Sequence, residues 1–115
     1  MSIKQVELME FLTSMHEYQK KVDGRESFLL FVKTDNCSVC EGLKPQIESF
    51  ERDYTLPFYA VNAAKLPELA GQLMLFTAPV VLLFNEGREI HRFARFVRID
   101  ELREKIAQLE EEFNV

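Results

Sequence analysis

The chain has 115 residues, of which 47% are hydrophobic and 29% are charged, with four glycines and four prolines. This length supplies one hydrophobic core, and the composition is that of a globular protein rather than a disordered or fibrous one. We therefore predict a single domain spanning residues 1–115. The net charge of −5 argues against binding to nucleic acid, which requires a basic surface to replace counterions along the phosphate backbone. No segment has the length of a membrane span or the unbroken apolar stretch of a secretory signal.

The first half of the chain predicts a helix, a strand and a second helix. Apolar residues at helical spacing predict an amphipathic helix over residues 4–22. The continuous apolar run 28–32 is typical of a central strand that is covered on both faces. A second helix follows the turn formers Asp35 and Asn36, and Pro45 inside it predicts a kink. The buried face of this helix carries Leu43, Ile47, Phe50 and Tyr54.

The second half of the chain alternates short strands and helices. Strands are predicted over residues 58–61, 80–84 and 88–95, and the turn Asn85-Glu86-Gly87 joins the last two into a hairpin. A short helix over residues 67–73 begins with proline, and a final helix is capped by Asp100. The final helix buries Leu102, Ile106, Leu109 and Phe113. This order predicts an α/β sandwich with a mixed central sheet of about four strands, flanked by helices on both faces. The sequence leaves undecided whether a short additional strand lies near the N-terminus.

The chemistry of the chain centres on its two cysteines, Cys37 and Cys40. Two cysteines at this spacing on a helix start can close a disulfide and reopen it without large backbone movement. The unpaired N–H groups and the dipole of the helix N-terminus favour the thiolate of Cys37, whereas Cys40 lies one turn further in. This asymmetry predicts a nucleophile and a resolving thiol. Spacing alone also fits a structural pair or half of a metal site, and so few cysteines suit a reducing compartment, which predicts the cytoplasm.

Four landmarks around this pair resemble the thioredoxin family, and together they cover residues 28 to about 96. They are the strand 28–32 that leads to the cysteines, Pro45 five residues after the second cysteine, Ala78-Pro79 directly before a buried strand, and Gly87 eight residues after that proline.

The resemblance implies a thioredoxin fold and a thiol–disulfide exchange mechanism. The Cys37 thiolate would attack a substrate disulfide, and Cys40 would then displace the reduced partner from the mixed disulfide. Pro79 in cis would bring the backbone of Ala78 beside Cys37, where an extended substrate segment can pair with it; the alternative is a plain turn proline. The Cys37–Cys40 disulfide would be the redox group, with no cofactor. The partners would be disulfide-bearing proteins or small thiol disulfides and an unidentified reductase, and the chain is expected to be a monomer.

The residues around the cysteines depart from the family pattern. Asn36 stands where typical thioredoxins have Trp, and Ser38-Val39 replace the Gly-Pro pair between the cysteines. The redox potential is therefore not inherited from the resemblance.

The proton acceptor of the family is also replaced. Phe31 stands at the position of a buried carboxylate, and about Ala60 at that of the lysine that faces it. Proton transfer from Cys40 would then use water or a nearby carboxylate, Asp35 or Glu41. The alternative is that both carboxylates are solvated surface charges.

Arg95 stands at about the place of a glycine that keeps the substrate groove of thioredoxins open. We hypothesise that Arg95 borders Cys37, stabilises its thiolate and selects an anionic partner, such as a small thiol adduct that bears carboxylates. The alternative is that its side chain points into solvent. Asn36, Ala78, Pro79 and Arg95 form the predicted substrate-binding surface.

Three functions stay open from the sequence. The leading one is a thiol–disulfide oxidoreductase; the others are a redox-inactive scaffold module that docks a partner strand and a glutaredoxin-like exchanger of small thiols. A scaffold would need neither cysteine. His16 and His91 could join the cysteines in a zinc site, but neither lies at a zinc-finger interval, so no metal is expected.

Overall fold

The structure, a computed structural model, describes residues 9–113, with side chains over residues 9–111. Its strands are β1 (Glu10–Phe11), β2 (Phe28–Lys33), β3 (Phe58–Asn62), β4 (Val80–Asn85) and β5 (Arg88–Ala94). Its helices are α1 (Met15–Asp23), α2 (Ser38–Glu48), α3 (Pro67–Gln72) and α4 (Ile99–Phe113), with a 3₁₀ turn at Glu51–Asp53 between α2 and β3. No helix within residues 9–113 is long and apolar enough to cross a membrane.

The five strands form one mixed sheet in the order β1-β3-β2-β4-β5. β1, β3 and β2 run parallel, and β4 and β5 are antiparallel to their neighbours. The central strands β2 and β4 are buried along almost their whole length, as expected of apolar runs that are covered on both faces. The thioredoxin fold that the sequence predicts is confirmed, and the short additional N-terminal strand is present as β1.

The core is divided by the sheet into two clusters. One face packs β2, β3 and β4 against α2 and α4, and its buried residues include Phe31, Cys40, Ile47 and Ile106. The other face packs the same strands against α1 and α3, and its buried residues include Tyr18, Val32, Leu69 and Leu82. Alternate residues of β2 enter opposite clusters because side chains along a strand alternate between the two faces.

The predicted helix over residues 4–22 is wrong at its start, because α1 begins only at Met15. Residues 10 and 11 pair with β3 instead, and the N–H of Leu12 donates to the carbonyl of Ala60 at 2.8 Å. Ser14 then caps α1, since its side chain accepts the N–H of Glu17. Ser14 and Glu17 have the spacing of a capping box, which is the sequence signal for this boundary. Residues 4–8 of the predicted helix lie outside the described residues.

The predicted boundaries also change at the end of α2 and at the start of α4. α2 ends at Glu48 rather than near Tyr54, because the N–H of Phe50 bonds to Ile47 three residues back and the chain continues as the 3₁₀ turn. The ring of Phe50 still enters the core, where it packs edge-on against Tyr54 and Phe58. Asp100 lies inside α4 rather than at its cap, and its carboxylate accepts the N–H of Glu101.

Candidate active site

The two cysteines are joined by a disulfide at the N-terminus of α2, with their Cα atoms 5.2 Å apart. Cys37 caps the helix with an extended backbone, and its Sγ accepts the N–H of Cys40 at 3.2 Å. The N–H groups of a first helical turn have no acceptors within the helix, and the positive end of the helix dipole lies there. Negative charge that forms on the Sγ of Cys37 when the disulfide opens is therefore stabilised.

The two sulfurs differ in their access to solvent. Cys37 is partly exposed at the edge of the first core cluster, whereas Cys40 is 1% exposed and belongs to that cluster. A substrate sulfur can approach Cys37 but cannot reach Cys40 from outside. The predicted nucleophile therefore lies at the surface, and the predicted resolving thiol lies beneath it.

Three exposed residues surround Cys37 in sequence. Asn36 adopts a left-handed backbone conformation with φ 55°, which asparagine tolerates better than most residues. The hydroxyl of Ser38 makes no hydrogen bond to any described residue, and Val39 is 61% exposed. The approach to the disulfide is thus bordered by one amide, one free hydroxyl and one apolar side chain.

Ala78 and Pro79 lie at the same end of the sheet as the disulfide. Val80, the first residue of β4, pairs with Val32 next to the end of β2, from which the chain runs directly to Cys37. The Ala78–Pro79 peptide bond is cis. Ala78 is half-buried against the first core cluster, and Pro79 is buried. This end of the sheet therefore brings together the disulfide, the Ala78-Pro79 peptide and the end of β5.

Arg95 lies directly after β5 rather than within it, which corrects the predicted strand over residues 88–95. Its N–H donates to the carbonyl of Pro79 at 3.2 Å, and its backbone is left-handed with φ 68°. Arg95 is exposed and lines a groove of about 530 Å³ that it shares with Val39. We call this the α2 groove; it lies between residues 39–46 of α2 and the segment 95–98.

The structure contains no charged group at the two positions where the family resemblance implies one. Phe31 and Ala60 are directly paired across β2 and β3, and both are fully buried in the cluster that contains Cys40. The two candidate carboxylates lie at the surface instead. Asp35 accepts a hydrogen bond from the side-chain amide of Asn62 at 2.9 Å, and Glu41 forms an ion pair with Lys33 at 3.2 Å.

Two exposed phenylalanines at this end of the sheet could not be predicted from the sequence pattern. Phe76 and Phe96 are each 85% exposed. Phe76 shares a second, smaller groove of about 200 Å³ with Thr34 and Ala78, and Phe96 lines the α2 groove. Both follow the end of a helix or strand, so neither belongs to a helical or alternating apolar pattern. A large apolar residue outside every such pattern is the sequence signal that could have indicated their exposure.

Arg92 belongs to a cluster of basic residues in the sequence, with Arg88, His91, Arg95 and Arg98, but the sequence alone assigned it no role. Its guanidinium forms a bidentate pair with Glu89 and donates to the carbonyls of Leu73 at 2.8 Å and Met74 at 3.3 Å. The hydrogen bonds that Arg92 donates to the Glu89 carboxylate raise the pKa of Arg92. These bonds attach β5 to the loop that carries Phe76 and leads into Ala78.

The two histidines lie on other elements of the fold than the cysteines. His16 is on α1, and His91 is on β5, where its ring contacts Phe93. No group of three or more potential metal ligands occurs within residues 9–113.

Comparison with known proteins agrees with this arrangement. The Thioredoxin family profile matches residues 10–108. The chain is 28% identical over 105 residues to the thioredoxin-like protein YdfQ of Bacillus subtilis, which covers 88% of this chain and 94% of the relative. Thioredoxin NaTrxh from Nicotiana alata has a TM-score of 0.80 at 20% identity, over 93% of this chain and 96% of that one. Thioredoxin 1 from Thermosipho africanus has a TM-score of 0.68 at 29% identity, over 76% of this chain and 98% of that one. The fold and the CxxC disulfide support thiol–disulfide oxidoreductase chemistry in general, and the chain belongs to the thioredoxin family.

Proposed function

We propose that this protein reduces the disulfides of other proteins in the cytoplasm, using Cys37 and Cys40 as its redox group and no cofactor. The observation that carries the proposal is a disulfide at a helix N-terminus in which one sulfur is accessible and the other is buried. The presence of only two cysteines in the chain supports a reducing compartment.

The reaction begins with both cysteines reduced. The Cys37 thiolate attacks one sulfur of the substrate disulfide, that bond breaks, and the released substrate thiolate takes a proton from water. Cys40 loses its proton and attacks the Sγ of Cys37, which breaks the mixed disulfide and releases the second substrate thiolate. Two electrons pass to the substrate, and the product is the Cys37–Cys40 disulfide of the present structure. A separate reductase must return two electrons and two protons for the next cycle.

The proton of Cys40 has no internal acceptor at the paired positions Phe31 and Ala60. Asp35 and Glu41 are both exposed and engaged with Asn62 and Lys33. We therefore assign the proton to water that enters as Cys37 is drawn toward the substrate. Neither carboxylate then makes a large difference to the rate.

A protein substrate is favoured over a small one by the surface around the disulfide. Val39, Phe76 and Phe96 are exposed apolar side chains on two grooves that flank this end of the sheet. A polypeptide can cover such apolar surface at both sides of its disulfide, which contributes about 25 cal/mol for each Å² removed from water. The protein acts as a monomer in this proposal, since one chain carries the whole site.

The test is reduction of insulin with dithiothreitol as the electron donor. Wild type is expected to accelerate the reaction, and Cys37→Ser to abolish the acceleration. In a separate incubation of pre-reduced protein with insulin and no dithiothreitol, Cys40→Ser should form a mixed disulfide with insulin chains, visible by mass spectrometry, because neither Cys40 nor an added thiol displaces the partner. Ser49→Ala, just after the far end of α2, is the matched control and should match wild type.

The alternative functions give different outcomes in the same experiment. A scaffold module would leave the uncatalysed rate unchanged in wild type, and Cys40→Ser would trap nothing. A glutaredoxin-like exchanger would release glutathione from a glutathionylated peptide and would keep this activity in Cys40→Ser. Either result would refute the proposed reduction of protein disulfides.

A further inference from the structure

The α2 groove combines an apolar floor with two cationic side chains. Its floor contains the buried Leu43 and the half-buried Val97, and Val39 and Phe96 stand exposed at its sides. Arg95 and Arg98 are both exposed and both line it. Its volume of about 530 Å³ lies in the range of sites that take a ligand of several groups.

The two arginines have no partner among the side chains that the structure describes, those of residues 9–111. Among the described residues, neither guanidinium forms an ion pair or a hydrogen bond, whereas Arg92 and Arg103 nearby in the sequence are each paired with a carboxylate. The acidic residues of α2 are already engaged, since Glu41 pairs with Lys33 and Glu48 pairs with Lys44. The groove therefore presents positive charge that the protein itself does not neutralise.

The backbone of Arg95 is also left-handed. A left-handed conformation costs a residue with a Cβ about 1–2 kcal/mol relative to glycine. Here φ is 68° at an exposed arginine beside the disulfide. Arg25, Met74 and Glu86 share this conformation elsewhere in the fold, so the unpaired charges of the groove, rather than the backbone, carry the argument for a role of the Arg95 side chain.

We propose that the α2 groove binds a segment of the disulfide substrate that carries an aspartate or glutamate next to its cysteine, held by Arg95 and Arg98. The inference rests on the proposed function and names its substrate class. Val39 lies between the two cysteines and also lines the groove, so a chain whose sulfur is bonded to Cys37 runs beside it. A carboxylate one or two residues from that sulfur meets the guanidinium groups, which bind carboxylates through paired hydrogen bonds. A polypeptide fits better than a small thiol because its neighbouring side chains also cover Phe96.

The net charge of the protein does not oppose this preference at short range. The chain carries −5 overall, but unpaired surface charges act only within about 10 Å at ordinary ionic strength. Three consecutive glutamates at positions 110–112 lie at the C-terminal end of α4, whereas the groove adjoins the start of that helix. The local charge of the groove therefore decides the preference of a bound substrate.

The test uses three peptides that differ only in the residue beside a cysteine bonded to a chromophoric thiol: glutamate, glutamine or lysine. The rate constant for reduction of each by pre-reduced protein is measured under second-order conditions. Wild type should reduce the glutamate peptide about 5 to 30 times faster than the lysine peptide, as two exposed charge pairs predict. The ratio should fall when salt is raised from about 0.05 M to about 0.5 M.

The variants separate charge from structure. Arg95→Asn with Arg98→Gln should bring the ratio to about 2 or below, and Arg95→Lys should keep most of it. Asparagine is chosen because it tolerates the left-handed backbone. Arg88→Gln removes an equally exposed, unpaired charge from the far end of β5 and should leave the wild-type ratio intact.

Four outcomes overturn the inference. If wild type reduced all three peptides at equal rates, binding of an acidic substrate segment in the groove would be refuted, whereas the proposed function would stand. A ratio that survives the double variant would assign the preference to other charges. If the protein reduced oxidised glutathione selectively but reduced the three peptides at equal rates, the ligand of the groove would be a small thiol disulfide and not a polypeptide. Reduction of none of these disulfides would refute the proposed function together with this inference.

Discussion

Gly87→Ala should destabilise the protein strongly without changing its redox chemistry. Gly87 has φ 82°, and a Cβ built on it lies 2.5 Å from the carbonyl oxygen of Val22 at the end of α1. The same oxygen accepts the N–H of Arg25, and the N–H of Gly87 donates to Glu26 at 2.8 Å. The added methyl group therefore strains the backbone and pushes the β4–β5 turn away from the end of α1.

The expected loss combines two costs. The left-handed conformation costs alanine about 1–2 kcal/mol relative to glycine. Relief of the contact with a backbone oxygen costs a further 1–3 kcal/mol, about the cost of overpacking. We therefore expect a total of about 2–5 kcal/mol, which lowers Tm by about 4 °C for each kcal/mol in a domain of this size.

Urea unfolding followed by circular dichroism measures this loss. Gly71→Ala is the matched control, because a Cβ on Gly71 in α3 meets nothing within 4 Å and alanine is favoured over glycine in a helix by up to about 1 kcal/mol. Its stability should equal or exceed that of wild type. If Gly87→Ala unfolds within about 0.5 kcal/mol of wild type, the close approach at this turn does not constrain the fold.

Three further changes follow from contacts of the described residues. Ser27→Ala should lower the free energy of unfolding by about 1–3 kcal/mol, because the groups that bond to the Ser27 hydroxyl lose their partner. This hydroxyl donates to Asn85 and accepts the N–H of Glu86. Ser49→Ala, at an exposed site, should cost less. Arg92→Gln should cost about 1 kcal/mol by releasing the carbonyls of Leu73 and Met74, and a double-mutant cycle with Glu89→Gln should show coupling. Hydrogen bonds from the backbone and side chain of Thr13 lower the pKa of Glu17 below its ordinary 4.5. The stabilisation by the ionised Glu17 is therefore complete above pH 4.5 and is lost as the pH falls through the lower pKa of the folded state. The difference in the free energy of unfolding between wild type and Glu17→Gln should shrink between about pH 6 and pH 3. A constant difference would refute this assignment.

The sequence could predict the elements whose periodicity is unambiguous. β2 and β4 are apolar up to their last residues, Lys33 and Asn85, and the structure buries the apolar part of both strands between two helical layers. The N-terminal boundary could not be predicted from periodicity alone. Leu12 has helical spacing from Leu8 but is placed by a backbone bond to Ala60 in β3, a contact between residues far apart in the chain. Local propensity was overridden there by the sheet edge.

In the candidate site, too, the features set by local sequence could be predicted, whereas those set by contacts between distant residues could not. The strand–cysteine–helix order predicts where Cys37 and Cys40 lie, because strand ends and helix starts are local features. The exposure of Phe76 and Phe96 depends instead on how two loops converge at one end of the sheet. Arg95 was singled out from the family resemblance, but its left-handed backbone and its place opposite Val39 required the three-dimensional structure.

The departures from the thioredoxin pattern fall in two physical settings with different consequences. Phe31 and Ala60 are buried partners on neighbouring strands, so returning one of them alone to a charged residue would leave an uncompensated charge in the core, which costs several kcal/mol. Asn36, Val39 and Arg95 are exposed, and exchanges there change the stability of the fold by little, provided that the new residue tolerates the left-handed backbone at positions 36 and 95. The loss of the internal proton acceptor is therefore fixed by packing. If the α2 groove binds the substrate as we propose, the choice of substrate can be altered one surface residue at a time, so Arg95 and Arg98 are suitable targets for changing specificity while the exchange chemistry is kept.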